Sequence, residues 1–138
     1  MVECDWAILC DYAFLDVQRK MCMIGVFDNV FAPAVPSTLH QSSLAVKLLG
    51  QPNETVSFKV EIIRPTGGSL AAFEGTVQVG ERGAAEIQVN IAGLPLPDYG
   101  LYSFNVYVGT DLLKTAGFVV MRPPQTPPAQ VQPPETGR

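Results

Sequence analysis

Apolar and polar residues alternate, position by position, through most of this chain. Every second residue is apolar in the segment 56–62, and the same alternation returns in 87–91 and 102–108. Because successive side chains of a strand point to opposite faces of a sheet, this pattern predicts strands with one dry and one wet side. Antiparallel sheets that pack face to face as a sandwich have this character.

Residues typical of turns separate the alternating segments, and Gly109-Thr110-Asp111 predicts a tight hairpin between the last two strands. Pro33 and Pro36 interrupt the segment 28–39, where residues 29–32 are either a helical turn or the end of a strand. Short strands at this spacing predict an all-β antiparallel sandwich. The predicted strands are eight, at roughly 5–14, 21–28, 40–49, 55–64, 70–79, 84–92, 101–108 and 112–121.

The composition changes at Arg122, because six prolines fall in residues 122–138 and few apolar side chains remain there. Such a segment cannot offset the entropy of ordering with apolar burial. The sequence therefore predicts one sandwich domain over residues 1–121 and a disordered, proline-rich tail over residues 122–138.

The net charge of -4 argues against two classes of partner, nucleic acid and anionic membrane, because both require a surplus of Lys and Arg. Asp11 interrupts the first apolar run, and no stretch reaches the roughly 20 apolar residues of a membrane span. The expected location is the cytoplasm. The three cysteines, Cys4, Cys10 and Cys22, are expected to be reduced there, although a Cys10–Cys22 bridge stays open if their strands pair.

One motif goes beyond the general β pattern. Asp98, Gly100, Tyr102 and Phe104 follow two alternating apolar residues and a leucine in the segment 89–104. This spacing resembles the E–F region of immunoglobulin-like domains. The resemblance implies that Tyr102 forms a tyrosine corner, in which its hydroxyl bonds to the upstream backbone, and that Asp98 and Gly100 shape the turn before the strand.

The chain departs from that family at two positions. Phe104 stands where immunoglobulin domains often carry a cysteine, and the single tryptophan, Trp6, lies in the first predicted strand instead of the third. The resemblance therefore implies a divergent, disulfide-free immunoglobulin-like domain. The segments 6–13 and 24–27 also resemble the first strands of a family of uncharacterised bacterial proteins, which implies no activity.

The residues offer no strong catalytic or metal site. His40 is the single histidine, so a small hydrolase would have to use it, yet no nucleophile motif surrounds it. The cysteines lack the spacing of a zinc site, and the aspartates form no calcium-binding loop. We therefore expect no enzyme activity, no cofactor and no metal.

Without a catalytic or metal site, the sequence favours a non-catalytic role as a protein-interaction or accessory module. The alternative is a structural subunit of a larger assembly or homo-oligomer. The surfaces expected for an unknown protein partner are the loops 50–54, 80–83 and 109–111 and a strand edge at residues 5–14. Within that edge, the candidate interface consists of Trp6, Ile8, Tyr12 and Phe14, which make the first strand rich in large apolar side chains.

Overall fold

A computed structural model of the chain describes residues 1–124, and these residues form nine β-strands in two sheets. The strands are β1 (Glu3–Leu15), β2 (Met21–Val26), β3 (Asn29–Phe31), β4 (Ser37–Leu49), β5 (Thr55–Ile63), β6 (Ser69–Gln78), β7 (Ala84–Leu96), β8 (Gly100–Val108) and β9 (Asp111–Met121). The first sheet has the order β2-β1-β4-β7, and the second has the order β3-β9-β8-β5-β6.

The chain passes from one sheet to the other between β4 and β5 and returns between β6 and β7. As a result β4 pairs with β7 in the first sheet, while β8 lies between β5 and β9 in the second. Immunoglobulin-like sandwiches place their B, E, C, F and G strands in this way. The predicted all-β, immunoglobulin-like sandwich is confirmed.

One strand was not predicted as such. Asn29–Phe31 forms β3, which pairs with the end of β9, from Val119 to Met121, and this pairing is parallel. Three residues are too few to show a period of two, and the partner strand lies far along the chain. The open choice for residues 29–32 is thus resolved in favour of a strand.

The core lies between the two sheets and follows the alternation of the sequence. On β4 the buried residues Leu44, Val46 and Leu48 alternate with positions on the outer face. From the second sheet, Tyr102 and Phe118 stack with ring centroids 5.2 Å apart. The other large, fully buried side chains are Phe104, Ile62, Leu94, Leu96, Val60, Val79 and Val106.

The sandwich ends at Met121, the last residue of β9, and the exposed residues 122–124 have no regular structure. The rest of the predicted proline-rich tail, residues 125–138, lies outside the described residues. Within residues 1–124, no helix is long and apolar enough to cross a membrane.

The buried hydroxyl of Ser42 is expected to lower the stability of the fold. Its side chain is 1% exposed, and its hydroxyl has no hydrogen-bond partner among the described residues. The neighbouring hydroxyl of Ser43 donates to Asn90 Oδ1. Because burying an unpaired polar group costs free energy, Ser42→Ala is expected to raise the free energy of unfolding by about 1 kcal/mol.

Ser43→Ala is the matched control for Ser42→Ala, because it removes a paired hydroxyl at the next position. We expect it to lower the free energy of unfolding by about 1 kcal/mol in urea titrations. A loss of stability in Ser42→Ala as large as that in Ser43→Ala would contradict the prediction.

Candidate functional site

The first strand changes partners halfway along its length. From Glu3 to Cys10, β1 pairs with β4, and from Cys10 to Leu15 it pairs with β2. The hairpin of β1 and β2 therefore extends beyond the ladder that joins β1 to the rest of the sheet.

A short turn closes this hairpin, and Asp16 organises it. The Oδ1 atom of Asp16 accepts the backbone N–H groups of Gln18 and Lys20 at 2.8 and 2.9 Å. The backbone carbonyl of Asp16 accepts the N–H of Arg19, which has a left-handed φ of 64°. Aspartate favours such turns because its carboxylate bonds to the backbone a few residues ahead.

The hairpin packs onto the outer face of the first sheet. Cys10, Ala13 and Ala45 form a second buried cluster, separate from the main core, and Met21, Met23 and Trp6 pack against it. At the hairpin's tip, Leu15 and Arg19 line a shallow cavity together with residues 84–86 of β7. The hairpin thus buries part of a sheet face that solvent would otherwise reach.

Gly25 provides the sharp backbone geometry of this hairpin. Its φ is +71°, and a Cβ atom placed on it would clash with the Asp11 carboxylate. A left-handed φ raises the conformational energy of residues other than glycine by about 1–2 kcal/mol. Gly25→Ala is therefore expected to lower the free energy of unfolding by about 1–2 kcal/mol, since the exposed Asp11 side chain can move into solvent.

Gly68→Ala is the control for this substitution, because Gly68 has no left-handed φ and a Cβ there would meet only the Arg64 side chain at 3.7 Å. It should change stability by less than about 0.5 kcal/mol in the same denaturant titration. Equal effects at the two glycines would show that the geometry at Gly25 is not required.

The hairpin leaves large apolar side chains in solvent. Ile24 is 57% exposed, Val26 is 64% exposed and Tyr12 is 42% exposed. Tyr12 lies opposite Ile24 in the register, and its ring stacks on that of Phe14 at 5.6 Å. We call Tyr12, Phe14, Ile24 and Val26 the hairpin surface. Of these, Tyr12, Phe14 and Ile24 adjoin one another, whereas Val26 lies opposite the buried Cys10. Exposed apolar side chains that adjoin mark interaction sites more often than isolated ones do.

The strand edge beside the hairpin surface is open. β2 is the last strand of its sheet, so one side of its backbone has no ladder partner among the described residues. Its sequence, Met21–Val26, has no charge and no proline, the usual devices that protect an edge. The other edge strands differ: β7 carries Glu86 and Pro95, β6 carries Glu74, and β3 has only three residues.

The four candidate interface residues fall into two groups. Tyr12 and Phe14 belong to the hairpin surface, whereas Trp6 and Ile8 are half-buried and lie earlier on β1. Within the edge predicted at residues 5–14, the register joins residues 6–9 to β4 and residues 12–14 to β2, so each stretch has one ladder, and β2 is the last strand of the sheet. The sequence predicts the strand at 21–28 but not its place at the end of the sheet, because the order of strands depends on tertiary pairing.

A second exposed apolar group lies on the other sheet. Leu101, Phe31 and Met121 are 55%, 50% and 36% exposed. Phe31 lies beside Met121 in the register, and Leu101 is opposite Val119 on β9. The edge beside this group is the three-residue β3, which offers a much shorter backbone ladder than β2 does.

The residues of the immunoglobulin-like motif surround the turn that enters β8. The hydroxyl of Tyr102 donates to the Asp98 carbonyl at 2.8 Å and accepts the Asp98 N–H at 2.9 Å. Burial raises the pKa of this hydroxyl above its usual range, which keeps it protonated. The Asp98 carboxylate also accepts a hydrogen bond from Arg64 Nη2 at 2.8 Å. Gly100 has a φ of +125° and lies against the Pro65 side chain. Phe104 is fully buried two residues further on.

The remaining titratable candidates stand apart from one another. His40 is an exposed residue of β4. Cys4, Cys10 and Cys22 are free thiols, and the register places Cys10 opposite Val26 and Cys22 opposite Phe14. Burial raises the pKa of the Cys4 and Cys10 thiols, which makes both weak nucleophiles. No group of three His, Cys, Asp or Glu residues within residues 1–124 is arranged to hold a metal ion.

Comparisons with known proteins identify the sequence family and add structural neighbours. The model of a family of unknown function, DUF6941, matches residues 5–121. No curated protein matches the sequence. The structure is similar to the alkylpurine DNA glycosylase AlkC of Pseudomonas fluorescens, solved with DNA that contains an abasic-site analogue, at 14% identity and a TM-score of 0.52. That match covers 88% of this chain and 30% of the glycosylase.

An immunoglobulin-like protein from Pseudomonas aeruginosa is a further neighbour, at 16% identity and a TM-score of 0.48. The match covers 88% of this chain and 97% of that protein. At these identities the likeness to the glycosylase is one of fold alone.

Proposed function

The chain belongs to the DUF6941 family, whose function is unknown, and we propose that it is a non-catalytic protein-interaction module that binds through the hairpin surface. The observation that carries this proposal is the exposure of Ile24 and Val26 on β2, and of Tyr12 opposite Ile24. β2 is an uncharged edge strand, and one side of its backbone is open. An added strand from a partner gains main-chain hydrogen bonds at such an edge, and neighbouring apolar side chains contribute affinity and specificity.

The hairpin is a suitable support for a binding surface because its opposite side is anchored. Ala13, Met21 and Met23 hold it against the outer face of the first sheet, so the outward side chains are presented from a packed element. Binding a partner therefore costs little conformational entropy in this part of the protein. The second exposed group, around Leu101, lacks an edge of comparable length.

The likeness to a DNA glycosylase does not favour DNA as the partner. It is a likeness of fold, and fold does not determine function. The net charge of -4 supplies no surplus of basic residues for contacts with phosphates. A protein partner agrees better with the apolar hairpin surface.

Affinity capture tests the proposal directly. The wild-type chain and Tyr12→Glu serve as baits in a native lysate, and bound proteins are quantified by mass spectrometry. A glutamate in the middle of the hairpin surface should remove the specific partner, because a charge at the centre of an apolar contact must be desolvated.

Leu112→Glu is the matched control, since Leu112 is 51% exposed and lies in β9 of the other sheet. It should retain the partner. A fourth bait, Leu101→Glu, tests the other exposed apolar group. Loss of the partner with this bait together with its retention by Tyr12→Glu would contradict the proposal.

A further inference from the structure

The part of the hairpin that lies beyond Cys10 is attached to the sandwich by its side chains. The ladder between β1 and β4 ends at Cys10, which lies opposite Ser43. Among the residues that the structure describes, the ladder pairs of residues 12–24 all lie within the hairpin. A chemical change in the inward side chains can therefore release this segment without breaking a ladder of the sandwich.

The side of the hairpin that faces the sheet carries both of its methionines. Ala13 lies opposite Met23, and Met21 stands two residues before Met23, so the three side chains point to the same side. Met21 and Met23 pack against the buried cluster of Cys10, Ala13 and Ala45. The two methionine side chains therefore supply the main apolar contact between the hairpin and the sheet.

A bend at Asp11 and Gly25 brings this side of the hairpin onto the sheet. Cys10 and Ala13 are three residues apart, so a regular strand would place them on opposite faces. They share one buried cluster instead, and the register omits the pair of Asp11 and Gly25 between them, where Gly25 has a φ of +71°. The hairpin thus folds over the cluster, in which Cys10 is 0% exposed.

Methionine gives this contact a chemical sensitivity that leucine or valine would not. Met21 and Met23 are half-buried, so each keeps part of its surface in water, where an oxidant can reach it. Oxidation converts the flexible, apolar thioether into a polar sulfoxide and disrupts contacts that methionine makes. A sulfoxide packed against two alanines and a thiol must either lose its hydration, which costs free energy, or move out into water.

We propose that Met21 and Met23 form an oxidation site, and that their conversion to sulfoxides by hydrogen peroxide releases the hairpin and exposes the Cys10 thiol. In each conversion the thioether sulfur attacks one peroxide oxygen, the O–O bond breaks and an S–O bond forms. The sulfur loses two electrons, and the departing hydroxide takes the proton from the new S–OH group and leaves as water. This release goes beyond the proposed function and does not depend on it, since it is read from a thiol of this chain.

Thiol labelling measures the release. The full chain is treated with dilute hydrogen peroxide, catalase removes the peroxide, and labelling of Cys10 by N-ethylmaleimide is followed by peptide mass spectrometry. Sulfoxides at Met21 and Met23 should raise the labelling rate of Cys10 roughly 5- to 150-fold, because a buried polar group shifts a local opening equilibrium by about that factor. A methionine sulfoxide reductase should return the rate to its starting value, which separates these sulfoxides from oxidised thiols.

Leucine variants identify the methionines responsible. Met21→Leu combined with Met23→Leu keeps the apolar contact and removes both sulfur atoms, so Cys10 should label slowly before and after peroxide. Met121→Leu is the matched control, because Met121 is 36% exposed and lies on β9 of the other sheet. It should respond to peroxide as the wild type does.

Glutamine variants test the release without an oxidant. Met21→Gln combined with Met23→Gln places a polar group of similar length at each position and should speed the labelling of Cys10 in untreated protein. Hydrogen exchange of residues 102–106, in the buried strand β8, should keep its rate in this variant and in the oxidised chain. An equal loss of protection in β8 would mean that the whole sandwich unfolds, and it would overturn the proposal.

Two further results would overturn the proposal. One is the presence of sulfoxides at Met21 and Met23 while Cys10 labels at its original rate. The other is the absence of sulfoxide at both positions after Met1 and Met121, which are 99% and 36% exposed, have been fully converted.

Discussion

Phe118→Ala is expected to lower the free energy of unfolding by about 3–5 kcal/mol, which is the usual cost of emptying a buried aromatic site. Phe118 is 1% exposed and lies at the centre of an aromatic cluster. Its ring contacts those of Tyr102, Phe104 and Phe27, with centroids 5.2, 6.1 and 5.8 Å away. Alanine leaves a cavity that three rings border, and rigid rings cannot collapse into it.

The measurement is equilibrium unfolding in urea, followed by fluorescence and by circular dichroism. Since small domains are stable by only about 5–15 kcal/mol, the variant should be close to unfolded at modest denaturant. Phe118→Leu is the control, because it keeps most of the volume and should cost clearly less. A loss in Phe118→Ala below about 1 kcal/mol would mean that this cluster is not the core of the sandwich.

Tyr102→Phe is expected to lower the free energy of unfolding by about 1–3 kcal/mol, although it removes a single oxygen atom. The hydroxyl accepts the Asp98 N–H and donates to the Asp98 carbonyl, so two backbone groups lose their partner at once. The ring itself remains stacked on Phe118, which separates the effect of the hydroxyl from that of packing.

Tyr107→Phe is the matched control, because Tyr107 lies on the same strand and its ring contacts the Lys59 ammonium group, 5.0 Å from the centroid. This contact does not use the hydroxyl, so the substitution should change stability by less than about 0.5 kcal/mol. Equal effects of the two substitutions in urea unfolding would show that the corner at Asp98 does not stabilise the fold.

Much of the fold could be predicted from the sequence because the alternation is regular where one face is dry and the other wet. The predicted strand at 55–64 corresponds to Thr55–Ile63, and the predicted hairpin at Gly109 joins β8 to β9. The tyrosine-containing motif could also be found, because its residues lie close together in the sequence. Local patterns of this kind carry their own signal.

The candidate site was harder to predict because it depends on how strands meet. Residues 6–10 are all apolar, so the alternation gave no indication that Cys10 packs under the hairpin while Tyr12 points outward. The open edge at β2 follows from the order β2-β1-β4-β7, and strand order leaves no local signal. Ile24 and Val26 could therefore be assigned to a strand from the sequence, but not to an exposed surface.

Amide hydrogen exchange of residues 21–26 tests the central claim, that the chain binds through its β1–β2 hairpin, most directly. Exchange is measured by mass spectrometry on the dilute chain, on the concentrated chain and on any complex that capture recovers. Binding at the open edge of β2 should slow the exchange of these amides relative to the dilute chain, while the amides of the other exposed edge, in β6, keep their rate. Unchanged exchange in β2 together with new protection elsewhere would contradict the claim.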